Sequence, residues 1–258
     1  MYKNWWFWEI AAALTSLIST STILVVLASA DGRPLSTWSL KVSLNALIAF
    51  LAAIGRLAMV VPVAECVSQA KWIYFQNRPR PLDHLELFDD ASRGPLGVFW
   101  LLYGLKCQAI LLSWGAFIIT AFLLYDPFIQ QVVAFQVQPL PTESARTVEN
   151  MNSAQGIYRS GDGASAEIYV HVIWSWLVFP ITLVLLALVF LTWIIWMTSK
   201  TGTAIWKSST LPLLFSGLKG WNDVDLGVGN RVDLRGQAKV MTGIMKIADD
   251  GLLVFERV

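Results

Sequence analysis

The chain has 258 residues, 55% of them hydrophobic and 14% charged, with a mean hydropathy of +0.56. That is too apolar for an ordinary soluble domain of this size, so the first partner it implies is a lipid bilayer. Nineteen Lys and Arg against eighteen Asp and Glu leave a formal charge of +1, which gives no field to draw it to nucleic acid, and Cys66 and Cys107 write neither a disulfide framework nor a zinc motif.

About 20 helical residues, at 1.5 Å each, cross ~30 Å of hydrocarbon. Four stretches qualify: 6–30, 42–64, 96–125 and 168–198. The first opens on WWFWEI and ends at Ala28-Ser29-Ala30, which also has the form of a signal-peptide cleavage site. Its apolar run from Ile10 to Leu27 exceeds the usual length of about 7 to 15 residues, and its leading flank is Trp-rich and holds Glu9, both of which favour an uncleaved span. Of the 13 tryptophans, Trp5, Trp6, Trp8, Trp38, Trp72, Trp100, Trp174, Trp176, Trp196 and Trp206 fall near expected span ends, the pattern of an aromatic belt.

The loop after the first span, DGRPLSTWSLK, is a short connector opened by an Asp-Gly turn. The 66–95 loop begins as a helical continuation, ECVSQAKWIYF, and breaks at Arg78-Pro79-Arg80-Pro81. Asp89, Asp90 or Ser92 is then placed to cap the third span, with Pro95 in its first turn. Residues 126–167 are rich in Ser, Gly, Glu and Asn, have no Asn-x-Ser/Thr acceptor and read as a disordered external loop. In 199–258, Ile205, Trp206, Leu211, Leu213, Leu214, Phe215 and Leu218 suit an interfacial helix, and two strand-like runs flank the turn signal Asp249-Asp250-Gly251.

The expected fold is therefore an all-α membrane protein of four transmembrane helices with short loops, an interfacial helix and a small cytosolic tail carrying a β-hairpin signal. The side holding both termini and the 66–95 loop carries eight flanking Lys and Arg against four opposite, which places both termini in the cytosol of a cell with this chain in its plasma membrane or an endomembrane. No internal repeat suggests an inverted-repeat transporter.

The strings WWFWEIAAAL, RPLSTWSLKVSLNALIA, PVAECVSQAKWIYF, FDDASRGPLG and WKSSTLPLLFSGL together resemble a large family of uncharacterised fungal multi-pass membrane proteins, defined only by a domain of unknown function. The resemblance covers roughly the first 125 and the last 90 residues and implies no activity. Members of that family carry a sizeable extracytosolic domain between the last two spans. Here about forty polar residues stand in its place, either as a natural minimal form or as a shortened chain.

Ionisable groups inside spans are the best functional candidates, because an unpaired charge in hydrocarbon costs at least ~2.5 kcal/mol. Glu9, Arg56 and Lys106 form such a candidate charge cluster, each heading or joining a stripe of small and polar residues. All three are expected in the cytosolic half, with Glu9 neutralising Arg56 or Lys106. Together they line an inward polar cavity, or else the cations snorkel and one pairs with Glu9 to hold the bundle. The fourth span, nearly all Leu, Val, Ile, Phe and Trp, is expected to face lipid most fully. Cys66, at a span end, is a candidate lipidation site, against the simpler role of a small residue in a helix junction.

Catalytic, cofactor and metal motifs are absent from the string. His84 and His171 fall on opposite sides of the expected membrane, the acidic neighbours of His84 suit a solvated face, and no GxxxxGK[ST], HExxH or GxSxG occurs. The sequence thus supports a non-enzymatic scaffold, receptor-like or partner-binding subunit that meets another membrane or cytosolic protein through its cytosolic loop and tail. The alternative is a small transporter or channel subunit using Arg56 and Lys106.

Overall fold

A computed structural model describes residues 6–93, 96–97, 100, 103, 110–139, 166–209, 218–219, 238, 241–247 and 253–257. Among the described residues three helices are long and apolar enough to cross a membrane: Phe7–Ala30 (α1), Leu44–Asn77 (α2) and Val178–Thr201 (α6), the last preceded by a 3-10 turn over Trp174–Leu177. Ser43 begins α2, its hydroxyl accepting the Ala46 N–H at 3.3 Å, and Gly202 ends α6 in the left-handed region at φ +64°, where a side chain is disfavoured. Between them lie shorter helices, His84–Arg93 (α3), Ile110–Ala121 (α4) and Tyr125–Gln130 (α5).

The core is built around α2. Its 34 residues extend about 51 Å, some 20 Å more than a bilayer needs, and continue through the buried Pro62. Against its first half packs α1, which buries Glu9, Ala13, Ser16, Ser19, Ile23, Leu27 and Ala30 at helical spacing. Small residues set the approach. Ser19 Oγ donates across the interface to the Leu51 carbonyl at 2.6 Å, and Gly55 lies opposite Ser19. On the other side, α4 wedges against α2 and α6 at Gly115, where an added Cβ would stand 2.4 Å from Phe190 and 2.8 Å from Val67.

Each end of the bundle carries a small sheet. At one end, Val133–Pro139 (β2) pairs antiparallel with Ala166–Val172 (β3), from Val133↔Val172 to Pro139↔Ala166. The connector after α1 lies along β3: Gly32 N–H donates to Val170 O at 2.9 Å, Val170 N–H donates to Arg33 O at 3.0 Å, and Pro34 bridges Tyr169. Gly32, at φ +70°, permits that turn. At the other end Arg80–Pro81 (β1), Leu218–Lys219 (β4), Thr242–Ile247 (β5) and Leu253–Arg257 (β6) form a mixed sheet in the order β1-β5-β6-β4. We refer to these as the hairpin end (β2-β3) and the tail end.

Several expectations change. The stretch 126–167 was expected to be disordered, yet its flanks form α5, β2 and the start of β3, because Val133, Val137, Ile168 and Val170 alternate as strand residues do; 140–165 lie outside the described residues. The fourth apolar stretch starts later than residue 168, since 168–172 belong to β3. It also faces lipid least: 39% of its apolar window is buried, against 28% in α1 and 33% in α2, because α6 sits between α2, α4 and α5. The expected third span 96–125 falls partly outside the described residues, which give α4 and, through a 3-10 turn at Phe122–Leu124, α5, together a shorter apolar helical run over Trp114–Gln130.

Around the tail end, Asp89 and Asp90 lie within α3 rather than capping a span, and Trp72 is fully buried rather than part of a belt. No helix forms over 203–209, which wraps α2 as irregular chain, and 210–217 lie outside the described residues. In the tail β5 and β6 pair antiparallel, from Gly243↔Arg257 to Ile247↔Leu253, while their connection at 248–252 also lies outside.

Candidate functional site

The densest polar arrangement lies at the tail end, where the chain leaving α6 folds back over α2. One face of α2 presents Glu65, Gln69, Trp72 and Gln76, spaced four, three and four apart, which keeps them in one stripe. Gln69 does most of the holding. Its Oε1 accepts the N–H groups of Trp206 (3.1 Å) and Lys207 (2.8 Å), and its Nε2 donates to Ala204 O at 3.0 Å. Trp72 Nε1 donates to Lys207 O at 2.9 Å, with its ring edge-on to Trp206 at 5.1 Å. Glu65 accepts from Ser208 N–H at 3.3 Å and Oγ at 3.1 Å, and Gln76 accepts from the Thr203 hydroxyl.

These contacts fix Lys207 at φ +50°, a left-handed conformation that costs a non-glycine residue about 1 kcal/mol or more. The bend aims its ammonium into the bundle. Lys207 Nζ lies 2.7 Å from Glu9 Oε1 and 5.0 Å over the Trp6 ring, and the paired side chains are 14% and 7% exposed. Glu9 Oε2 is buried with no hydrogen-bond partner among the described residues. Beside this pair, Lys71 is completely buried, bound to Asp89 Oδ1 at 2.6 Å and set 4.8 Å over the Trp72 ring. One exchange thus ties α1 to the segment after α6, and the other ties α2 to α3.

The sequence-derived cluster is therefore taken apart. Glu9 answers Lys207 and not Arg56. Arg56 reaches the other way, its Nη1 3.0 Å from Asp126 Oδ2 at the start of α5, with both side chains about one third exposed. It thus serves the hairpin end, because the long α2 sets residue 56 nearer Leu44 than the tail end. Lys106 lies outside the described residues. Cys66, the candidate lipidation site, is a free thiol fully buried on α2.

Two other groups are set by their surroundings. His84 Nδ1 lies 2.9 Å from the Tyr74 hydroxyl, and burial holds its pKa below the ordinary value against the pull of Asp83. At the hairpin end, Asp31 accepts from Val172 N–H at 2.9 Å and Trp174 Nε1 at 3.2 Å, and the backbone bond lowers its pKa. Among the described residues no three His, Cys, Asp or Glu side chains converge as metal ligands would.

Lys207, Gln69 and the Lys71–Asp89 pair were not singled out from the sequence. A usable signal existed in the Glu65-Gln69-Trp72-Gln76 stripe, which sets four hydrogen-bonding side chains on one face of α2. The geometry now bears on family. Residues 24–134 match the family model described as Protein of unknown function (DUF3176). The match runs from the second half of α1 to the start of β2, and so takes in Arg56, Asp126, Lys71, Asp89 and the holding face of α2, with Glu9 and Lys207 on either side of it. No curated protein and no solved structure matches the chain.

Proposed function

We propose that the protein is a non-enzymatic integral membrane subunit, scaffold-like or receptor-like, that binds another membrane or cytosolic protein through its tail end. The observation that carries this reading is the union of two segments far apart in sequence. The loop after α2 supplies β1 and α3, the tail supplies β4, β5 and β6, and the two join in one sheet beside the Gln69 and Lys71 networks. A surface assembled from both segments, held by buried ion pairs and raised some 20 Å beyond the hydrocarbon by α2, is suited to recognition by a partner. Its charged groups are occupied with one another, which suits positioning rather than proton transfer. On this reading both termini are cytosolic, in the plasma membrane or an endomembrane.

The test is purification of the intact protein in mild detergent, with mass spectrometry of what accompanies it and a parallel flux assay in liposomes. A partner that co-purifies with the wild type and is lost when Gln69→Ala loosens the tail supports the reading. Anion flux that is lost in Arg56→Gln without any such partner overturns it in favour of a transporter subunit.

A further inference from the structure

The hairpin end, at the opposite pole from the proposed docking surface, holds two adjoining grooves where α1 ends and α2 begins. The larger, about 460 Å³, is walled mainly by Leu35, Trp38, Leu40, Val42, Leu44 and Phe135, with Lys41, Ser43 and Asn45 also in its lining. The smaller, about 260 Å³, shares Leu35, Trp38, Leu40 and Leu44 and is more polar, with Ser29, Arg33, Thr37 and Ser39 in its lining. The dividing wall is fixed: the Trp38 indole N–H donates to the Val42 carbonyl at 2.7 Å. The floor is fixed as well, through the bonds from Gly32 and Arg33 to Val170. These bonds hold both Trp38 and the connector after α1 against their neighbours.

Three observations narrow the occupant. The grooves lie at the ends of two apolar membrane-crossing helices, the level at which hydrocarbon gives way to headgroups. Leu40, Val42 and Phe135 remain 56%, 52% and 46% exposed, an apolar lining that no other described residue covers. Finally, both cations, Arg33 and Lys41, are exposed, no acidic residue lines either groove, and neither cation forms an ion pair among the described residues. Two grooves that share a wall, one mostly apolar with Lys41 in its lining and one more polar with Arg33 in its lining, are complementary to one amphiphile, a single-chain width of hydrocarbon joined to an anionic phosphate.

We propose that these joined grooves are a binding site for one anionic glycerophospholipid. An acyl chain lies in the larger groove against Trp38, Leu40 and Phe135, and the phosphate sits in the polar one beside Arg33, with Lys41 of the adjoining larger groove as the second cation. The site is independent of the tail-end surface and of the function proposed for it.

Native mass spectrometry of the full chain, released from detergent with either phosphatidylglycerol or phosphatidylcholine of the same acyl chains, tests this directly. The wild type retains phosphatidylglycerol about tenfold more tightly, as two surface cations predict, and inorganic phosphate does not displace it. Arg33→Gln with Lys41→Gln reduces the preference to about twofold or less while phosphatidylcholine binding is unchanged. Trp38→Ala weakens both lipids, and Lys200→Gln, a cation at the far end of α6, changes neither. Equal retention of the two lipids by the wild type, an unaltered preference in the double variant, displacement by phosphate alone, or loss of the preference in Lys200→Gln each overturns the proposal.

Discussion

Glu9 in the first turn of α1 and Lys207 beyond the end of α6 meet at 2.7 Å although 198 residues separate them, and almost no water reaches the pair. A charge pair so placed is weak evidence of net stability, because desolvation offsets most of the attraction, but removing one partner strands the other. Glu9→Gln is therefore expected to lower stability by about 2–4 kcal/mol, and Lys207→Met combined with it to recover much of that loss. Arg56→Leu combined with Glu9→Gln is expected to be additive. Thermal unfolding in detergent of the three singles and two doubles measures both cycles, and rescue by Arg56→Leu rather than Lys207→Met would reverse the assignment of partners.

Arg56 and Asp126 form the milder pair. With both groups about one third open, screening reduces their coupling to about 1 kcal/mol or less, and it weakens further in high salt. A double-mutant cycle of Arg56→Gln and Asp126→Asn at low and at 0.5 M salt reads this, and a coupling as large as that of Glu9 with Lys207 would show that the site is far drier than its exposure implies.

Protons act on the tail end through His84. Its folded-state pKa lies below the unfolded value near 6.5, so the folded form favours the neutral ring. The contribution is complete above pH 6.5, and falls as the pH drops below that value because the unfolded chain then binds more protons. Hydrogen exchange at Arg80 and Thr242–Ile247, corrected for the intrinsic slowing of amide exchange at lower pH, should quicken between pH 7 and 5.5 in the wild type, and respond less to pH in His84→Gln. A quickening that is identical in the two proteins would assign the effect to other groups.

Gly115 has no space for a side chain. Gly115→Ala drives a methyl into Phe190 and Val67 and is expected to cost about 1–3 kcal/mol, while Phe190→Leu in the same chain restores part of it by retracting the ring. Scanning calorimetry of the variants decides the matter, and a neutral Gly115→Ala would mean that α4 stands further from α6.

Cys66 gives a readout of the closed junction. In a Cys107→Ser background, a membrane-permeant maleimide should leave Cys66 unmodified in native detergent and modify it when Gln69→Ala frees the chain over α2. Fast labelling of the otherwise native protein would contradict its complete burial.

Hydropathy made the membrane helices legible, since the length and apolarity of α1, α2 and α6 are local properties of the string. The partners of their charges were not. Glu9 shares a helix face with small residues whatever stands opposite, and nothing local to Lys207 announces that its backbone turns left-handed and aims it inward. The strands 133–139 and 166–172 were lost because the polar residues between them outweighed two short alternating runs in the composition of the segment. Trp72 illustrates the same limit. An indole near a span end suits headgroups, and only the return of residues 203–208 over α2 turns it into core.

The register of the tail-end sheet also sets an order of events during synthesis. Arg80 pairs with Gly243, 163 positions further along (243 minus 80), and β6 must arrive before the sheet is complete. All three long helices will have left the ribosome and entered the membrane by then, with β1 exposing an unpaired edge and Lys71 and Asp89 already able to join α2 to α3. The tail-end sheet is therefore a contact of very high sequence separation, one that forms only after the helices that carry it.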